Sequence, residues 1–158
     1  MKTILYLICL IVMLNKTHVN AQKENIKFSI TKIFKASPEK LYNAFLDSNA
    51  LKRVWGVQSI KVNPKVGGKA EAKFMIDNVD WSFVLTYLEM KPGKKLKWKA
   101  DFNKYPNKKP VTTLTFKKVK EGTEFNVTQE YLETTDDMEG GSSAWTSGLE
   151  NLKVFLGE

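Results

Sequence analysis

From Ile26 onward the chain alternates in polarity. Ile26, Phe28 and Ile30 fall on one side and polar residues on the other, the period-two pattern of a half-buried strand. "SPEKLYNAFLD" breaks that period. Ser37 is placed to cap a helix, Pro38 sits where proline opens one, and Glu39 suits the first turn. Leu41 and Phe45, four apart, supply its apolar face. Ser48 is expected to cap a second short helix, "NALKRVW", which presents Leu51, Val54 and Trp55. From Gln58 to Glu133 the pattern predicts strands and turns. Gly67 and Gly68 mark a turn or bulge, and "KPGK" and "KEG" are turn signals. Trp81, Phe83, Leu85 and Tyr87 share one strand face, as do Leu96, Trp98 and Ala100. In the last strand Phe125, Val127, Gln129 and Tyr131 are expected together. Apolar residues alternating with a polar face favour antiparallel, half-solvated strands.

The closing stretch, "DDMEGGSSAWTSGLENLKVFLGE", changes period again. Trp145, Leu149, Leu152 and Leu156 are spaced to lie on one helix face. Asp136 and Glu139 have capping-box spacing, with Thr135 as a competing cap. Gly141 and Gly148 stand on the same face as Trp145, four residues before it and three after. Glycine inside a helix costs about 1 kcal/mol relative to alanine, so the pair needs a reason. Either the helix settles close to its neighbours, or volume is left open on both sides of the indole. Both explanations place Trp145 against the sheet. The predicted order is strand, two short helices, a run of about six strands and one long helix, an α+β chain whose last helix covers the sheet's apolar face.

Composition narrows the chemistry. The chain opens "MKTILYLICLIVMLNKTHVNA", with Lys2, an apolar run and a small-residue end. A membrane span needs about 20 apolar residues. This run is shorter, so residues 1–21 are expected to be a signal peptide cleaved after Ala21, with an uncleaved anchor as the alternative. The protein is then exported, periplasmic or secreted, and residues 22–158 form one domain. Cleavage removes Cys9 and His18, the sole cysteine and histidine. The remainder has no disulfide, no thiol nucleophile, no histidine base and no ordinary zinc or haem ligand set. No cofactor is expected. Cleavage also removes Lys2 and Lys16, leaving 23 basic residues against 17 acidic ones, a net charge of +6. Arg53 is the sole arginine, and the lysines alternate with apolar residues, as in "KKLKWKA". That distribution predicts a solvated sheet face with weak attraction to anionic lipid or polymer surfaces. No nucleic-acid motif is present.

Four stretches together resemble a known family. They are "ASPEKLYNAFLDSNALKRVW", "YLEMKPGKKLKWKA", "VTTLTFKKVKEGTEFNVTQEYL" and "AWTSGLENLKVFL". In this order they are similar to the domain related to the C-terminal part of the activator of the heat-shock-protein-ninety ATPase, within the START-like (SRPBCC) superfamily. The family usually has glycine directly before the last tryptophan, where this chain has Ala144. The resemblance implies a helix-grip fold: a curved antiparallel sheet wrapped around the long C-terminal helix, with a cavity between them.

A cavity of that kind implies a binding protein for a small hydrophobic or aromatic molecule. The candidate wall is Trp55, Trp81, Phe83, Tyr87 and Trp98, continued by Tyr131, Met138 and Trp145, with Gln129 as an inward polar group. Apolar walls with few polar groups are the usual small-molecule design, although large aromatics also fill ordinary cores. The alternatives are a START-like enzyme of cyclase or hydrolase type, working through Asp, Glu, Lys or Tyr, and a chaperone-ATPase activator that meets a protein partner. Glu130 and Glu133 fall on opposite faces of a regular strand, so no carboxylate pair is predicted inward. A cytosolic chaperone partner conflicts with export.

Overall fold

The computed structural model describes residues 25–158; the expected signal segment lies outside them. The elements follow the predicted order. Strand β1 (Ile26–Phe34) leads into helices α1 (Pro38–Ala44) and α2 (Ser48–Trp55). Strands β2 (Ser59–Val62), β3 (Lys69–Ile76), β4 (Val79–Lys91), β5 (Lys95–Phe102), β6 (Val111–Val119) and β7 (Gly122–Leu132) follow. Helix α3 (Thr135–Leu156) closes the fold. The seven strands form one curved antiparallel sheet in the order β1-β7-β6-β5-β4-β3-β2. It is a meander from β2 to β7, with β1 returning beside β7.

Local chemistry explains the helix ends. The Ser37 hydroxyl accepts from the Lys40 amide at 3.2 Å, and Pro38 opens α1 as expected. The other two caps each lie one or more residues before the predicted position. Asp47, not Ser48, caps α2, its Oδ1 accepting from the Asn49 and Ala50 amides at 2.9 and 2.8 Å. Thr134, ahead of Thr135 and Asp136, caps α3 by accepting from the Asp137 amide. In each case the capping side chain belongs to the last residue with extended backbone, which spacing alone does not reveal.

Helix α1 packs on β6 and β7, α2 on β2 and on α3, and α3 on β1 and β7. Leu41, Leu51, Leu149, Leu152, Phe45 and Phe125 are buried in one core. Phe45 stacks on Phe125 at 5.3 Å, and Phe34 and Phe116 meet Phe125 edge-on or tilted. Gly148 answers half of the question raised by α3. A Cβ there would lie 2.6 Å from the Val54 carbonyl oxygen. The glycine therefore lets α3 touch the backbone of α2, a helix neighbour and not the sheet.

Candidate functional site

The N-terminal half of α3 does not press onto the sheet in the same way. Between it and strands β3–β7 lie two adjoining hollows. The inner one, about 240 Å³, is walled by Trp55, Phe74, Phe83, Trp98, Phe102 and Trp145, with Leu85, Ala100, Thr112, Gln129, Gly141 and Ala144 completing it. The outer one, about 280 Å³, is bordered by Phe74, Ile76, Trp81, Phe102, Tyr105, Tyr131 and Leu132. Phe74, Phe102, Gln129 and Gly141 belong to both, so they form the partition between the two.

The aromatic wall is built by strand alternation. Phe83 and Trp98 point inward from β4 and β5, and Trp55 at the end of α2 meets both edge-on, at 5.4 and 6.3 Å. Trp145 lies nearly parallel to Trp98 at 6.3 Å and tilts against Phe45 at 6.2 Å. It is 8% exposed. Trp145 thus sits against the sheet, as both explanations of the glycines required. Gly141 answers the rest of that question: a Cβ there would lie 2.9 Å from Gln129 Oε1 and 2.9 Å from a Phe28 ring carbon.

Polar groups are few in the inner hollow. Thr112 is fully buried, and the Gln129 side-chain amide donates to its hydroxyl at 3.1 Å. The outer hollow has a charged rim. Lys108 donates to Asp137 Oδ1 at 2.6 Å and stands 4.8 Å over the Tyr105 ring. This pair ties the β5–β6 loop to the first turn of α3. The hydrogen bond from Lys108, supported by Thr134, holds the Asp137 carboxyl below its usual range. The same bond raises the Lys108 ammonium, with Glu133 and Tyr105 contributing. Asp137 Oδ2 is buried without a hydrogen-bond partner. Glu133 and Asp137 are the carboxylates on this rim. Among the described residues, no group of His, Cys, Asp or Glu side chains gathers to hold a metal ion.

The structure brings Trp55, Phe83, Trp98, Gln129 and Trp145 to the inner hollow, and Trp81, Gln129 and Tyr131 to the outer one. Tyr87 and Met138 lie elsewhere. Tyr87 is buried behind Trp98, and burial, with Tyr42 adding, pushes its phenol up to about 12. Met138 faces a shallow groove on the far side of α3 with Phe28 and Ser142. Tyr131 does not share the inward face of Phe125, Val127 and Gln129. The β1–β7 register slips between Ile26 and Phe28, and Tyr131 adopts φ +61 with 60% exposure. Leu132 turns inward in its place. Bulges of this kind re-aim side chains and occur beside binding sites. Phe74, Phe102 and Thr112 were not expected. Alternation held the signal for two of them: Phe74 follows Ala70 and Ala72 on one face, and Thr112 precedes Leu114 and Phe116.

Comparison with known proteins supports the same architecture. No curated protein sequence matches the chain. A crystal structure of a protein from Chromobacterium violaceum is 23% identical, with a TM-score of 0.73, covering 82% of this chain and 96% of its own. A protein of unknown function from Staphylococcus aureus is 15% identical, with a TM-score of 0.72, covering 88% and 100%. An HSP90 activator from Plasmodium falciparum is 26% identical, with a TM-score of 0.71, covering 84% and 96%. The sequence profile described as Activator of Hsp90 ATPase homolog 1-like protein matches residues 35–157, and the chain belongs to that family.

Proposed function

We propose that this protein binds a small apolar, ring-bearing molecule between the sheet and the N-terminal half of α3, and that it does so after export. The observation that carries the ligand proposal is the inner hollow: six large aromatic or indole side chains around one polar pair, Gln129 and Thr112. Binding pockets combine an apolar wall with few placed polar groups in this way. Each hollow is smaller than the roughly 300–1,000 Å³ typical of drug-sized sites, which fits a ligand of one or two rings per chamber. Titration with 1-anilinonaphthalene-8-sulfonate tests this. We expect saturable, blue-shifted fluorescence that is lost in Ala100→Leu, a variant that fills the inner hollow while the fold still melts cooperatively. No binding by the parent protein, with strong destabilisation by Ala100→Leu, would mean the space is ordinary core.

The export proposal rests on the short apolar run ending "VNA". Intact-mass analysis of exported protein should find Gln22 first. Met1 retained in a membrane fraction would overturn it. A second reading, activation of a chaperone ATPase, is favoured by the likeness to the Plasmodium falciparum activator. It predicts that the protein, added to the cytosolic chaperone, raises its ATP turnover. An unchanged rate would leave the small-molecule reading.

A further inference from the structure

Resting on that small-molecule reading, we propose that Gln129 selects the ligand: its side-chain carbonyl takes a hydrogen bond from a hydroxyl or ring N–H on an otherwise apolar ring molecule. The amide is held from two sides. Its N–H donates to Thr112 Oγ1 at 3.1 Å, and Thr112 is fully buried on the neighbouring strand. Above it, Gly141 leaves only enough room for the Oε1 atom, since a Cβ there would come within 2.9 Å of it. The Phe28 ring occupies the other side of that contact.

Among the described residues the Gln129 amide nitrogen donates to Thr112, and no donor reaches its Oε1. Gln129 is half-buried, so this oxygen is open to the hollows, and a donor on a ligand bonds it more strongly as the ligand's ring displaces water from around it. Its position matters as much as its chemistry. Gln129 and Gly141 lie on the partition common to both hollows. A ligand that spans the two hollows lies against this acceptor while its ring rests on Trp98 and Trp145. The acceptor therefore sorts ring molecules by whether they carry a donor. Because Thr112 and Gly141 fix the amide before binding, little ordering cost is added when the bond forms.

Three probes of one ring size separate the possibilities by isothermal titration calorimetry on the folded protein. 2-Naphthol carries a donor, 2-methoxynaphthalene carries only an acceptor, and naphthalene carries neither. The parent protein should prefer 2-naphthol over the other two by about five- to tenfold, the discrimination one neutral hydrogen bond supplies. Gln129→Met, close in size, should keep naphthalene binding and lose the preference. Gly141→Ala should shrink the preference by displacing the amide. Gly140→Ala should keep it, because a Cβ at Gly140 meets nothing within 4 Å. A preference that survives in Gln129→Met, or 2-methoxynaphthalene bound as tightly as 2-naphthol, overturns the selection by Gln129 and leaves the ligand site standing. If the parent protein binds none of the three, the ligand-binding reading falls with it.

Discussion

The two halves of α3 carry similar residues and do different things. From Gly148 onward the helix is locked. Leu149 and Leu152 are fully buried, and Gly148 lies against the Val54 carbonyl of α2. Before Gly148 the helix borders empty space. Asp137, Gly141, Ala144 and Trp145 each face one or both hollows. Glycine in the first region closes a gap between two backbones, and in the second it makes room for a side-chain amide. A buried stripe on a helix therefore does not imply uniform packing along it. Each residue's neighbour across the interface decides whether the space is filled.

Substitutions one turn apart sharpen this contrast. Leu149→Ala removes a side chain packed on all sides and should cost about 2–5 kcal/mol in a urea melt. Gly148→Leu should cost about 1–3 kcal/mol, because its branch must push against the Val54 backbone. Helix propensity alone favours leucine at that position, so a loss there reports overpacking. Trp145→Ala deletes a larger group but should cost only about 2 kcal/mol, below the 3–5 typical of buried aromatics. Part of its surroundings is already open, so fewer contacts vanish. If Trp145→Ala proves costlier than Leu149→Ala, the two halves of the helix are equally packed and the contrast fails.

Much of the fold was legible because burial follows simple periods. Alternation placed Phe83, Leu85 and Tyr87 on one face, and Ser37 before Pro38 announced α1 correctly. The cavity wall was legible only in part, for physical reasons. Tyr131 escapes its face because a bulge inserts a residue, and a one-residue slip reverses every side chain beyond it. Met138 belongs to the first turns of α3, whose orientation depends on the Thr134 cap and not on the apolar stripe. Tyr87 shares an inward face with Phe83, yet depth along the sheet makes one core and the other wall. Periodicity reports which face a residue takes, but not how far the opposing layer stands from it.

The rim of the outer hollow permits a smaller test. The hydrogen bond from Lys108 keeps the Asp137 carboxyl below its ordinary range. A group whose folded pKa is depressed adds stability above its unfolded pKa, about 3.9 for aspartate, and loses it as pH falls through the folded value. The pair is partly exposed, with 29% and 23% of the two side chains accessible, so its worth is that of a surface ion pair, under about 1 kcal/mol. Asp137→Asn should therefore be slightly less stable than the parent at pH 7. The two should converge well below pH 3.9. A gap that persists in acid, where the carboxyl is neutral, would assign the loss to a contribution that does not depend on its charge and not to the Lys108 pair.

The smallest predicted effect isolates backbone from cavity. Gly140 and Gly141 are adjacent in the same helical turn, yet only Gly141 has a neighbour that needs the missing side chain. Gly140 is exposed, and a Cβ there would meet nothing within 4 Å. Alanine at 140 should thus gain most of the difference in helix propensity, about 0.5–1 kcal/mol, partly by limiting the unfolded chain. The melting temperature should rise by a few degrees for a domain of this size. Alanine at 141 gains the same propensity but must displace Gln129 or the Phe28 ring, so its net change should be zero or a loss. Paired thermal melts of the two variants measure that difference directly. Equal stabilisation at both positions would show that the N-terminal turns of α3 are free to shift away from the sheet. The contact between Gly141 and Gln129 would then impose no constraint, and the contrast between the two halves of the helix would reduce to a difference in rigidity.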